Sequence, residues 1–259
     1  MRSVPVHVVT GRGDWQLAAW TLASFFRFTS DAWPIVVHDD GTFPAEAWAT
    51  YEAMFPKPRL IRRTESDAAM ASALALFPHC AELRASHPSA MKVFDVAHFA
   101  TSDRFILLDS DMLFFRKPEE ILAWTNAAND ECWFNEDAEE RALITEREAE
   151  AELGVRLWPR VDSGLCLLHK GAIDFAFCEE ALTRTSILRG KICRVEQTLL
   201  ALCASRHGKG GLLPKTYEVS LGADAAPEAI ARHYVDAVRD RFYGEGLPRL
   251  AYDLFTDPD

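Results

Sequence analysis

Residues 104–118 read Arg-Phe-Ile-Leu-Leu-Asp-Ser-Asp-Met-Leu-Phe-Phe-Arg-Lys-Pro. Within it, residues 105–108 are a continuous apolar segment of the kind found in a strand covered on both faces, which points to helices layered on a central sheet, and residues 112–115 resume it. Asp109 and Asp111 interrupt the run. Burying a carboxylate costs several kcal/mol unless it is paired, hydrogen-bonded or metal-bound, so two acids here call for a cation. Residues i and i+2 of an extended chain face the same way about 6.6 Å apart, and a slight bend brings both carboxylates to one ion while Ser110 turns away. Hard oxygen ligands suit Mg or Mn, whose other positions a substrate's phosphates fill. A sugar nucleotide carries such phosphates. An Asp pair also closes a strand at a turn, so the motif needs its context.

That context is an alternation of strands and helices. Residues 4–9 read as a first strand ending at Thr10-Gly11-Arg12-Gly13, with Asp14 placed to cap the next helix. Leu17, Trp20, Thr21, Ser24 and Phe28 recur at helical spacing and predict one packed face. Residues 35–37 give a second strand running into His38-Asp39-Asp40-Gly41, residues 44–55 a helix, 59–61 a third strand, and the Ala-rich 66–85 another helix. A helix over 91–100 carries Lys92 toward Asp109. The pattern predicts an α/β fold with a mostly parallel central sheet flanked by helices, whose ligands bind at the carboxyl ends of the strands.

The 259 residues are enough for a full core, and no repeat, low-complexity tract or Gly/Ser linker divides them. A single domain over 1–259 is expected. Twenty-eight basic against 39 acidic residues give a net charge of −11, which argues against nucleic acid as the main partner. The six cysteines form no C-x-x-C pair, so neither a zinc ribbon nor a thioredoxin-like site is indicated, and Cys166 reads as a small buried hydrophobe. With no signal-like start and no transmembrane-length apolar run, a cytoplasmic protein is expected, leaving peripheral membrane contact open. Residues 136–152 hold eight acids and two arginines and read as a solvated helical face.

Together these features resemble the GT-A class of nucleotide-sugar glycosyltransferases, in particular the families similar to glycogenin and to the bacterial galactosyltransferases of lipooligosaccharide synthesis. The resemblance rests on residues 8–13, 36–41, 105–115 with 161–168, and 196–201 with His233-Tyr234. It implies a GT-A, Rossmann-like fold with a nucleotide-binding half over about 1–115, an acceptor-side half over about 116–226 and a closing segment over about 227–259. Thr10 and Gly11 would lie beside the donor nucleotide, and Asp39 or Asp40 would accept hydrogen bonds from base and ribose, although Asp-Asp-Gly also suits a plain β-turn. Lys92 would meet a phosphate or orient a carboxylate. Asp162-Ser163-Gly164 matches the family's Asn-Ser-Gly with Asp in place of Asn: Asp162 and Ser163 would bind donor hydroxyls, and Gly164 would let the sugar approach the backbone.

By the same resemblance, Glu196, with Gln197 after it, is the first choice for an acid beside the transferred sugar; a helix-capping role competes. An inverting enzyme would use Glu196 or Asp162 as the base on the acceptor, and a retaining one the leaving phosphate. His233 would be the third ligand to a Mn or Mg ion held by Asp109 and Asp111, while Arg232, Arg239 and Arg241 face the diphosphate. The implied activity is metal-dependent transfer of a hexose from a nucleotide sugar, most simply a UDP-sugar, to a hydroxyl of a glycan, lipid or protein. Two rivals share parts of the pattern: a haloacid dehalogenase-like phosphatase, whose nucleophile also sits in Asp-x-Asp after an apolar strand, and a non-catalytic sugar-nucleotide-binding protein on the same fold.

Overall fold

The computed structural model describes residues 4–29, 33–222 and 224–256. The extreme ends of the expected 1–259 domain, including residues 257–259 of the closing segment, lie outside the described residues. Among the described residues, ten strands form two sheets: β1 (Val6–Thr10), β2 (Ile35–Asp39), β3 (Arg59–Ile61), β4 (Arg104–Leu108), β5 (Met112–Phe114), β6 (Cys132–Glu136), β7 (Val161–His169), β8 (Gly210–Leu212), β9 (Tyr217–Val219) and β10 (Ala231–His233). The larger sheet runs β3-β2-β1-β4-β7-β6-β8 and the smaller β5-β10-β9. The α-helices among the described residues are α1 (Trp15–Thr29), α2 (Ala45–Met54), α3 (Arg63–Ala73), α4 (Pro78–Ser86), α5 (Phe94–Phe99), α6 (Glu119–Asn126), α7 (Glu146–Leu153), α8 (Phe175–Arg184), α9 (Val195–His207) and α10 (Leu247–Thr256).

The large sheet is parallel except where β7 inserts antiparallel between β4 and β6. Every residue of β4 is buried: its four apolar residues each stabilise by roughly 1.5–3 kcal/mol, and Arg104 donates its guanidinium to the Trp124 and Thr125 carbonyls. One core lies on each face of this sheet: Phe105, Leu107 and Cys166 turn to one, Ile106, Leu108 and Leu165 to the other. Cys166 is thus the buried hydrophobe its sequence implied.

Four local expectations are revised. The apolar run 105–115 is two strands in different sheets, with Asp109-Ser110-Asp111 as the crossing between them. Helix α1 pins that crossing: the Thr21 hydroxyl lies 2.7 Å from both the Ser110 and Met112 carbonyl oxygens and accepts the Met112 N–H at 3.1 Å, while Ser24 Oγ accepts the Phe114 N–H at 3.1 Å. This explains two polar residues on the packed face of α1; Trp20 instead faces solvent. The expected helix over 66–85 breaks into α3 and α4 because Pro78, with no N–H to donate, opens a new first turn. A 3-10 turn at Pro88–Lys92 precedes the short α5 where one helix over 91–100 was expected. In the acidic stretch only Glu146–Leu153 is helical, opened by Thr145 Oγ1 accepting the Glu148 N–H and closed by Gly154 in the left-handed region at φ 67°.

The segment after Pro227 is part of the packed fold. Strand β10 pairs with both β5 and β9, and Tyr234, Phe242 and Leu250 form a small core with Leu17, Leu113 and Phe115. No described helix is long and apolar enough to cross a membrane.

Two neighbouring strands of the large sheet carry a buried histidine pair. His7 Nδ1 lies 2.9 Å from His38 Nε2, the rings stack 5.2 Å apart, and Phe105 and Phe99 close over them. Burial above all, then the nearby Arg59, lowers the His38 pKa to about 3; His7 is lowered by burial and by His38. Both rings are therefore neutral when folded and protonate once the chain unfolds in acid. The unfolded state binds more protons below its ordinary pKa of about 6.5, so this contribution is complete above that pH and is lost as pH falls. For His38 alone the loss at pH 5 is roughly 2 kcal/mol. Urea unfolding at pH 7.5 and pH 5 should show it, and His38→Phe should shrink the acid-induced drop; an equal drop in both proteins would remove the histidine from the account.

Candidate active site

The antiparallel β7 decides where the site forms. Its first residues lie beside the end of β4, and the Asp109 N–H donates to the Gly164 carbonyl at 2.7 Å. Strand β10 runs antiparallel to β5 with His233 opposite Met112, which sets the imidazole next to Asp111. Parallel pairing of β1 with β2 and β4 ends Thr10 and Asp39 at the same edge. A cleft of about 470 Å³ opens there, lined among others by Asp40, Lys92, Asp111, Ser163, Glu196 and Arg239.

Asp109, Asp111 and His233 each present a ligand atom within 4.8 Å of the others. His233 Nε2 is 3.2 Å from Asp111 Oδ1 and 3.6 Å from Asp109 Oδ2. Two carboxylates and an imidazole fit a Mn-like divalent cation, the nitrogen favouring Mn over Mg. The chain's own cations meet these acids: Lys92 Nζ is 2.5 Å from Asp109 Oδ1, and Arg239 Nε is 3.1 Å from Asp111 Oδ2. Burial would lower the His233 pKa, but Asp162 and Asp111 outweigh it and hold the ring well above the ordinary histidine range. For Asp111 burial is likewise outweighed, by His233 and then Arg239, and its pKa falls; Asp109, where burial prevails over Lys92, is raised.

Glu196 stands in the first turn of α9 but does not cap it: its side chain points inward, 3% exposed, against Ser163 and with Oε1 3.5 Å from Lys92 Nζ. Burial, only partly offset by Lys92, raises its pKa to about 7. Asp162 accepts the Gly164 N–H at 3.0 Å and lies 2.8 Å from His233 Nδ1.

The remaining predicted residues divide. Asp40 lines the cleft, and its carboxylate lies over Gly11, where a Cβ would come within 2.1 Å of Asp40 Oδ1; the missing side chain at Gly11 makes room for Asp40. Gly164 serves the same purpose for the His233 ring, since a Cβ would fall 2.3 Å from His233 Nδ1, so the close approach expected of a sugar is made by the histidine. Asp39 accepts the Gly41 and Phe43 N–H groups at 2.7 and 3.0 Å, and Gly41 takes the left-handed region at φ 102°. Thr10 is buried just under this edge. Arg239 reaches the cleft, and its Nη2 pairs with Asp14 at 2.8 Å, so Asp14, immediately before α1, also anchors the C-terminal segment. Arg241 is exposed and outside the cleft; Arg232 is buried against Tyr234 with its guanidinium on the Gly222 carbonyl.

Sequence reasoning passed over Asp137 and Arg141. Reading residues 136–152 as a solvated face misplaces both, because Asp137 is buried immediately after β6 with Oδ2 3.5 Å from Gln197 Nε2, and Arg141 Nε lies 3.4 Å from its Oδ1 and lines the cleft. Their signal was position at a strand end, hidden in a run of acids.

No family profile and no curated protein matches the chain. Solved structures do. WbbM, a bifunctional glycosyltransferase, superposes with a TM-score of 0.63 at 12% identity over 96% of this chain, which spans 50% of WbbM. Mouse xyloside xylosyltransferase 1 superposes at 0.60 and 12% identity, covering 90% of this chain and 98% of its own. The galactosyltransferase LgtC, solved with donor and acceptor sugar analogs, gives 0.56 at 15% identity over 99% of this chain and 98% of LgtC. The chain has the mixed α/β fold of the GT-A glycosyltransferases.

Proposed function

We propose that the protein is a metal-dependent glycosyltransferase that moves a hexose from a nucleotide sugar, a UDP-sugar in the simplest case, to a hydroxyl of a glycan, lipid or protein. The observation that carries this reading is the convergence of Asp109, Asp111 and His233 on one point in a cleft whose wall includes the buried Glu196. Asp109, Asp111 and His233 would hold the ion, with Mn the better match to the nitrogen ligand. A divalent cation there neutralises the departing nucleoside diphosphate.

Lys92 and Arg239 complete the neutralisation from the protein side. Each is paired with an acid of the site, so each is poised to exchange that acid for a phosphate oxygen. Glu196, ionised above about pH 7, sets a negative charge beside the sugar as positive charge develops at its anomeric carbon. Asp40 and the β1 and β2 ends form the nucleotide side; the acceptor enters from the 116–226 half, where Arg141, paired with Asp137, stands at the cleft. The working compartment in this reading is the cytoplasm.

A thermal-shift panel of UDP, GDP and CMP with and without Mn tests metal, base and diphosphate together. UDP with Mn is expected to raise the melting temperature more than UDP alone or Mn alone. Equal shifts with and without Mn would remove the metal from the proposal, and a larger shift with GDP would reassign the base.

A further inference from the structure

Resting on the metal reading above, we infer that Asp162 is a positioning residue that fixes the tautomer and orientation of His233, and that it is not the catalytic base. Asp162 is 2% exposed, its Oδ1 lies 2.8 Å from His233 Nδ1, and the same oxygen accepts the Gly164 N–H at 3.0 Å. The opposite nitrogen, Nε2, is the one that faces Asp111 and Asp109. The ring is thus clamped between an orienting carboxylate and the two ligand carboxylates, and Gly164 leaves the space that it occupies.

The residue type explains the departure from Asn-Ser-Gly. An ionised carboxylate only accepts hydrogen bonds, so it requires the proton on Nδ1 and leaves the Nε2 lone pair for an ion. An amide in the same place presents either a carbonyl or an NH2 group and so permits either tautomer. An anionic partner also raises the basicity of the imidazole, and partners of this kind typically set metal affinity by ~10–100-fold. With Oδ1 committed twice, the Asp162 carboxylate is tied to the His233 ring, and in this inference the acid beside the sugar is Glu196.

The test is Mn titration of the full chain followed by electron paramagnetic resonance of free Mn, for the natural protein and Asp162→Asn, with melting of the metal-free proteins as the control for folding. Asp162→Asn should melt cooperatively and bind Mn ~10–100-fold more weakly. In the Mg-loaded protein, the His233 Nδ1 proton should resonate far downfield, as befits a hydrogen bond donated to a carboxylate, and should move upfield in the variant, where the acceptor is a neutral amide; a merely structural role would leave that resonance in place. Equal Mn affinity in a folded Asp162→Asn, or an unmoved Nδ1 proton, overturns the inference while leaving the metal site standing. A natural protein that binds no Mn overturns the metal reading, and this inference with it.

Discussion

Asp111→Asn is expected to abolish Mn-dependent binding of UDP while leaving the metal-free fold intact. The substitution keeps shape and removes charge at the residue where three elements meet: the β4–β5 crossing supplies the carboxylate, β10 the His233 ring at 3.2 Å, and the following segment the Arg239 guanidinium at 3.1 Å. Loss of a supporting contact to a ligand costs ~10–100-fold in metal affinity, and loss of the ligand itself should exceed that range. The metal-free variant should still unfold cooperatively, because the crossing is held by Thr21 and the β5–β10 pairing, neither of which uses the carboxylate. Melting temperatures of both proteins with UDP, with and without Mn, provide the check. A variant that keeps the full UDP–Mn shift would show that Asp111 does not hold the ion.

Glu196→Gln should reduce the turnover rate by ~10²–10⁴-fold, the range typical of a positioned acid or base, with little change in donor affinity. Glutamine preserves size and hydrogen bonding to Ser163 but never carries the charge. The same reasoning gives a pH dependence. The carboxylate forms as pH rises through about 7, so transfer should increase with pH along that limb. A divalent cation at Asp109 favours the charged form and moves the limb somewhat lower. Rates measured from pH 5 to 8.5 in both proteins decide the matter: if Glu196→Gln retains the limb, the titrating group lies elsewhere, and if it retains the rate, Glu196 is a structural acid paired with Lys92.

Much of this site could be read along the chain, for a physical reason specific to each residue. Asp109 and Asp111 announce themselves because acids inside an apolar strand run demand compensation, and the compensation is there in His233, Lys92 and Arg239. Lys92 was placed near Asp109 from its helix-like segment, and the segment proved to be a 3-10 turn that delivers it to the same spot. Arg241 and Arg239 could not be separated by sequence, since only the course of the backbone after β10 turns one into the cleft and the other out.

The glycines mark where local reading stops. Gly164 was legible as a position where something approaches the backbone closely and Gly11 as one beside the nucleotide, but what lies against each is a side chain of this protein, His233 in one case and Asp40 in the other. Asp137 was lost among neighbouring charges because burial is a property of the fold, not of the acid run. The sequence by itself determined the alternation of strands and helices, the buried β4, and the two acids at its end, because apolar periodicity and the cost of a buried charge are local consequences of residue type. Only the tertiary structure decided that β7 runs antiparallel beside β4 and β10 antiparallel beside β5, since strand order and direction depend on pairings between residues 50 to 120 positions apart that no local pattern encodes. Those two pairings convert a strand-end Asp-x-Asp, a distant Asp-Ser-Gly and a histidine near the C-terminus into one candidate metal centre.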